Sequence, residues 1–124
     1  MGMLLTPEQF KGRNGYFIFV DRFFRGNGSN PPPIEGRILK GWNDSTPNWW
    51  PNPKGDYPNN YFYGGDLKGI TEKLSFLHLI LGIDLLYISP ISQTPSSHHY
   101  DVEDQRIIDP WIGTWEDYKD MCKE

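Results

Sequence analysis

The stretch from residue 61 to residue 91 constrains the fold most, because a helix signal is followed directly by a strand signal. Asp66 is a favourable N-cap, since its carboxylate can accept hydrogen bonds from the unpaired amides of a first helical turn. Gly82 supplies the left-handed residue that commonly ends a helix. Between them, apolar residues recur at helical spacing and form one face, namely Ile70, Leu74, Leu77 and Leu81. The pattern predicts an α-helix that begins after Asp66 and ends at Gly82.

Two strands are predicted on either side of this helix. Residues 83–88 are apolar at nearly every position, which is typical of a strand covered on both faces, and Pro90 closes the run. Residues 16–20 form an earlier β-rich run, followed by the charge pair Asp21 and Arg22. Since a helix that leads directly into a buried strand is half of a βαβ unit, we expect the two strands to be parallel.

The order of elements predicts an α/β fold. A long loop over residues 23–65 follows the first strand, and a polar loop over residues 92–99 follows the second. Thr114 then predicts the N-cap of another helix, with Asp117 as the acid of a capping box. Two parallel strands make no stable sheet alone, and a closed eight-stranded barrel needs roughly 250 residues. With 124 residues, the sequence reads as part of such a fold.

Charge and composition argue against several partner classes. The formal net charge is −4 and no basic run is present, so we expect neither nucleic acid nor an anionic membrane as a partner. The single cysteine, Cys122, excludes an intramolecular disulfide and is interpreted as an inert thiol. The first ten residues contain no charged segment followed by an apolar one, so we expect no secretory signal and a cytoplasmic location.

Four separated motifs resemble the α-amylase family of glycoside hydrolases. They are the FIFVDRF run at 17–23, GGDLKGI at 64–70, the strand at 83–91 with its Ser-Pro-Ile end, and HYDVED at 99–104 followed by IDP at 108–110 and Gly-Thr at 113–114. Residues 41–67 are most similar to neopullulanases and cyclomaltodextrinases. The resemblance implies the first two β/α units of a TIM (β/α)8 barrel, with residues 1–14 as a lead-in and 15–124 as the barrel segment.

The resemblance also implies a retaining hydrolase of α-1,4-glucan oligosaccharides such as starch and maltodextrins. That chemistry needs a carboxylate nucleophile and a carboxylic acid on opposite sides of the glycosidic bond. In the family these groups follow the fourth, fifth and seventh strands, so we assign no catalytic residue and expect this chain alone to be inactive. The remainder of the barrel is then a required partner. The alternative is a non-catalytic carbohydrate-binding or degraded-gene remnant.

Substrate binding is implied at the loop after the second strand. Tyr100 aligns with the family tyrosine that stacks on the sugar ring at the cleavage position, and aromatic faces suit the C–H face of a pyranose. His99, Asp101 and Asp104 belong to the same motif and are predicted to contact substrate. The alternative for Tyr100 is a buried core position. A metal held by His98 and His99 is disfavoured, because neighbouring side chains rarely converge on one ion.

A calcium site is the second implied feature. The oxygens of Asn27, Asn30 and Asp66, with the carbonyl of Gly64, match positions that bind Ca²⁺ in relatives. Arg25 and Pro31 stand where the resemblance implies Asn or Asp. The alternative is therefore that the Arg25 guanidinium replaces the ion and pairs with Asp66.

Two further interpretations concern the helix end and the loop aromatics. The run FLHLILGID at 76–84 is one residue longer than in relatives, which predicts either a π-bulge or a lesion. Most loop aromatics are interpreted as anchors of the loop, while sugar contact stays open for one of the two adjacent tryptophans. These side chains are Trp42, Trp49, Trp50, Tyr57, Tyr61 and Phe62.

Overall fold

The computed structural model describes residues 6–44 and 58–124. In chain order the elements are α1 (Pro7–Phe10), β1 (Gly15–Ile18), α2 (Val20–Phe23), β2 (Ile38–Leu39), a 3₁₀ turn (Pro58–Asn60), β3 (Tyr61–Phe62), α3 (Leu67–Ser75), a π-helical segment (Phe76–Ile80), β4 (Leu85–Ile88), β5 (Ser92–Gln93), β6 (Asp104–Ile108) and α4 (Trp115–Lys123).

The predicted parallel pair is present. Strands β1 and β4 run parallel, with Gly15 opposite Leu85 and Ile18 opposite Ile88. Two short pairs accompany them: β2 with β3 in parallel, and β5 with β6 in antiparallel orientation. The first strand ends earlier than predicted, because Val20 already opens the short helix α2.

The prediction that the second strand is covered on both faces is wrong for the described chain. Tyr87 on β4 is 64% exposed, and its ring contacts that of Phe17 on β1 at a centroid distance of 5.3 Å. Helix α3 packs on the opposite face, so only that side is closed to solvent. The buried core there comprises Ile18, Val20, Leu67, Ile70, Leu77, Ile108 and Ile112.

Helix α3 begins as predicted and ends differently. The Asp66 carboxylate accepts a hydrogen bond from the Gly69 amide at 2.8 Å, and Gly82 has a left-handed φ of 67°. Between them lies the π-helical segment, where the Leu81 amide bonds the carbonyl of Phe76 five residues back. This wider turn rotates Leu81 away from the core and leaves it 49% exposed, so its predicted place on the apolar face is wrong.

The long connection is anchored at its C-terminal end. Tyr61 and Phe62 are buried, as the anchoring interpretation predicts, whereas Trp42 is exposed and contacts the Tyr63 ring at 6.1 Å. Trp49, Trp50 and Tyr57 lie outside the described residues. Within the described ranges, no helix is long and apolar enough to cross a membrane.

Helix α4 has the predicted N-terminus. The Thr114 hydroxyl accepts from the Asp117 amide at 3.2 Å, and the Asp117 carboxylate accepts from the Thr114 amide at 2.8 Å. This reciprocal pair is a capping box, which satisfies two amides of the first turn. Helix α4 packs against α3 on the core side.

Gly69 provides a test of how closely α3 approaches the residues that follow β1. A β-carbon at Gly69 would overlap the Phe24 carbonyl, a backbone atom that cannot swing aside, whereas one at Gly15 would lie 4.0 Å from its nearest neighbours. Gly69→Ala should therefore destabilise the protein by about 1–3 kcal/mol despite the better helix propensity of alanine. Gly15→Ala is the matched control in urea denaturation, and equal midpoints for the two variants would contradict the packing.

Candidate functional site

The carboxyl end of β1 is fixed by Asp21. Its carboxylate is buried and accepts hydrogen bonds from the amides of Tyr63 and Gly64 at 2.9 and 3.0 Å, and it also pairs with Arg22. Burial raises the pKa of Asp21, and these amide and guanidinium contacts oppose that rise. The segment containing Gly64 is thereby held against the end of the first strand.

Tyr100 lies in the loop between β5 and β6, close to the carboxyl end of β4. Its ring is 56% exposed, which excludes the buried core alternative for this residue in the described chain. The ring lies 6.0 Å from that of His98, whose Nδ1 accepts the Tyr100 amide hydrogen at 3.0 Å. Desolvation and the nearby Tyr87 hydroxyl raise the pKa of Tyr100, so the phenol is neutral at physiological pH. An exposed, neutral aromatic face is therefore available to a ligand.

His99 is placed differently from Tyr100, although the two are adjacent. It is 1% exposed and has a φ of 65°, which is uncommon for a residue other than glycine. Its Nδ1 lies 2.9 Å from the Ser97 carbonyl oxygen, and its Nε2 lies 3.4 Å from Oδ2 of Asp109. The His99 ring faces the interior here. Direct substrate contact by His99 stays a prediction.

Asp109 and Arg37 form a buried ion pair beneath this corner. Arg37 Nη1 donates to Asp109 Oδ1 at 2.7 Å, Nη2 contacts Oδ2, and Nη2 also donates to the Thr94 carbonyl at 2.6 Å. The guanidinium lies over the rings of Phe62 and Trp111, at 4.6 and 5.2 Å from their centroids. Burial alone would raise the pKa of Asp109, but the hydrogen-bonded Arg37 guanidinium and the nearby His99 imidazole hold it well below its ordinary value.

Sequence reasoning missed this pair. Asp109 belongs to the IDP motif but received no role, although a carboxylate within an apolar run is itself a signal that a buried partner exists. Arg37 gave no signal, since it lies in the long loop 72 residues from its partner. Tyr87 was also missed, because it was counted as an apolar strand residue.

The two other predicted substrate residues have different surroundings. Partial burial would raise the pKa of Asp101, but hydrogen bonds from Ser96 and Thr94 hold it below its ordinary value. Asp101 thus cross-links the loop to the residues after β5. Asp104 begins β6, and hydrogen bonds from Arg106 lower its pKa. The hydrogen bonds from Arg106 to the Asp104 carboxylate are exposed to solvent.

Two of the predicted calcium ligands share a cavity with a lysine side chain. Asn30 and Asp66 line one cavity of about 210 Å³, but Lys68 lines it as well. Asp66 Oδ1 already accepts from the amides of Gly26 and Gly69, each at 2.8 Å. Asn27 is exposed, and its backbone amide donates to Glu72 Oε1 at 2.6 Å.

The Arg25 guanidinium lies at the remaining predicted ligand, Gly64. A β-carbon at Gly64 would lie only 2.7 Å from Nε and Nη2 of Arg25, and Nη2 donates to the Tyr63 carbonyl at 2.7 Å. Arg25 Nε is buried without a hydrogen-bond partner. Among the ion pairs of residues 6–44 and 58–124, none joins Arg25 to Asp66. The alternative prediction therefore named the wrong partner for Arg25, whose guanidinium bonds the Tyr63 carbonyl.

The charges that border these residues oppose a calcium ion, and the calcium site stays a prediction. At an effective dielectric of about 20, two unit charges about 4 Å apart interact by about 4 kcal/mol, and a divalent ion doubles that repulsion. Two cationic side chains, Arg25 and Lys68, border the predicted ligands.

Comparisons with known proteins agree with the motifs. Residues 17–124 match the family model described as the alpha amylase catalytic domain. An amylopullulanase from Thermoanaerobacter thermohydrosulfuricus is 37% identical over 96% of this chain and 9% of its own length. Neopullulanase 2 from Thermoactinomyces vulgaris is 37% identical over 96% of this chain and 18% of its own length. The chain thus spans less than a fifth of these curated relatives.

Solved structures with the same fold give a consistent result. The type III pullulan hydrolase from Thermococcus kodakarensis superposes with a TM-score of 0.71 at 34% identity, over 88% of this chain and 20% of that one. A cyclic alpha-maltosyl-(1→6)-maltose hydrolase from Arthrobacter globiformis superposes with a TM-score of 0.69 at 32% identity, over 90% of this chain and 22% of that one. The chain therefore belongs to the α-amylase family of glycoside hydrolases, whose catalytic domain is a TIM barrel.

Proposed function

We propose that the protein carrying this sequence is a retaining hydrolase of α-1,4-linked glucan oligosaccharides. Residues 15–124 would supply the first two β/α units of its barrel. The parallel register of β1 and β4, joined through α3 and followed by α4, supports this assignment. In a TIM barrel the carboxyl ends of the strands form the active-site face. Asp21 and Tyr100 both lie beyond those ends here.

The observation that carries the proposal is the exposed ring of Tyr100 beside a buried neighbour. The ring presents a neutral aromatic face, and His99 directly before it is fixed in the interior. Aromatic faces bind the C–H face of a pyranose by burying apolar area while the hydroxyl groups remain hydrogen-bonded. We therefore assign sugar stacking to Tyr100 and hydrogen bonding of sugar hydroxyls to Asp104.

This stretch would bind substrate without performing the chemistry. Glycoside hydrolysis needs two carboxyl groups flanking the bond, about 5–5.5 Å apart in retaining enzymes. Two of the acids near Tyr100 are engaged otherwise: Asp101 accepts from Ser96 and Thr94, and Asp109 is paired with Arg37. We therefore place the nucleophile and the acid elsewhere in the protein.

Substitution of Tyr100 tests the sugar-stacking role in the full-length protein. Tyr100→Ala should lower kcat/KM on maltotriose by about 1.5–3 kcal/mol of transition-state stabilisation, the scale for a large apolar contact. Tyr100→Phe is the matched control and should stay near wild type, because it keeps the ring and removes only the hydroxyl. Small, equal effects of both changes would place Tyr100 outside the sugar site.

Calcium is tested by comparing variants at Arg25, since other parts of the protein can bind calcium independently. The difference in melting temperature between wild type and Arg25→Lys should be the same in excess calcium as in chelator. Arg25→Asn removes the charge and adds an amide oxygen, so calcium should raise its melting temperature further, because an ion that binds only the folded state stabilises it. If Asn30→Ala abolished a calcium response of wild type, the ion would occupy the predicted site instead.

A further inference from the structure

The buried pair Arg37–Asp109 needs an explanation that core packing does not supply. Both side chains are almost fully buried, at 5% and 0% exposure. Removing two charges from water is expensive, and an apolar pair of similar volume is often at least as stable. In some proteins such pairs are retained because they fix one particular geometry.

The geometry that this pair fixes is that of His99. Asp109 uses Oδ1 for Arg37 Nη1 and for the Trp111 amide, both within 2.8 Å, and it presents Oδ2 to His99 Nε2 at 3.4 Å. The other ring nitrogen of His99 lies 2.9 Å from the Ser97 carbonyl. The imidazole is therefore held by one hydrogen bond at Nδ1, while its buried Nε2 makes no hydrogen bond and only faces the Asp109 carboxylate. The Phe62 ring packs against it edge-on at 6.2 Å.

His99 in turn sets the direction of Tyr100. A left-handed φ at a residue other than glycine persists only where the surroundings over-determine it. Here the buried ring of His99 supplies that constraint, and the reversal of the backbone sends the next side chain outwards. Without the anchor, the backbone at His99 would relax towards the ordinary region and rotate the Tyr100 ring.

The pair also joins two distant segments of the chain. Arg37 belongs to the connection before β2, while Asp109 follows β6, and Arg37 additionally donates to the Thr94 carbonyl at the base of the Tyr100 loop. We propose that Arg37 and Asp109 are positioning residues that hold Tyr100 in its sugar-binding orientation through His99. This inference rests on the proposed sugar-stacking role of Tyr100.

A double-mutant cycle in the full-length protein separates positioning from simple stability. Asp109→Asn keeps the shape of the side chain and an acceptor for the Trp111 amide but removes the charge that Arg37 and His99 face. We expect kcat/KM on maltotriose to fall by about 10- to 100-fold, the scale for a displaced substrate-orienting group. In a Tyr100→Ala background, the same change should cause no further loss, because the group that it positions is absent.

Lys119→Met is the matched control, since it removes one charge from an exposed ion pair with Glu116 on α4. It should leave kcat/KM unchanged in both backgrounds. If Asp109→Asn lowers kcat/KM by the same factor with and without the Tyr100 ring, the positioning role is refuted while the role of Tyr100 stands. If Tyr100→Ala itself has no effect, the proposed sugar site fails instead.

Arg37→Lys keeps the inference testable if Asp109→Asn does not fold. Lysine retains the charge but cannot make the two-pronged contact with Asp109. Its loss of kcat/KM should likewise disappear in the Tyr100→Ala background. A loss that persists there would refute positioning for Arg37 too.

Discussion

The approach of the Gly64–Asp66 segment to the end of β1 is the constraint on which the rest of the structure depends. The Gly65 amide bonds the Asp21 carbonyl at 2.9 Å, and the Asp66 amide bonds the Phe24 carbonyl at 3.1 Å. A β-carbon at Gly65 would overlap the backbone of Val20, so only glycine permits this contact. Asp66 then caps α3, and α3 places β4 beside β1 in parallel.

A second set of polar contacts joins the long connection to the loop that carries Tyr100. The Arg37–Asp109 pair closes this link, and the rings of Phe62 and Trp111 shield it from water. Replacing such a pair with apolar residues is often neutral or stabilising, so local stability alone does not explain why it is buried. The exposed Tyr100 is thus the outer end of an interior network.

Local signals in the sequence were sufficient for much of the fold. The Asp66 cap, the left-handed Gly82 and the Thr114–Asp117 capping box each depend on a few neighbouring residues. Parallel pairing followed from the order of elements. The direction of Leu81 could not be predicted from a regular helical period, because a π-helical turn changes the angle per residue.

The candidate site was predictable only in part, for a related reason. Resemblance to the family identified Tyr100, and its exposure is consistent with that identification. The role of Arg37 and the interior position of His99 depend on contacts between residues far apart in the chain. Periodicity and capping rules describe neighbours and contain no information on such contacts.

The most direct test of this account is a crystal structure of the full-length protein with a bound maltooligosaccharide. We expect a pyranose ring stacked on Tyr100, with ring centres about 4.5–7 Å apart as for aromatic packing, and with the Arg37–Asp109–His99 contacts preserved beneath it. A well-ordered oligosaccharide in the active-site cleft that makes no contact with Tyr100 would contradict the account.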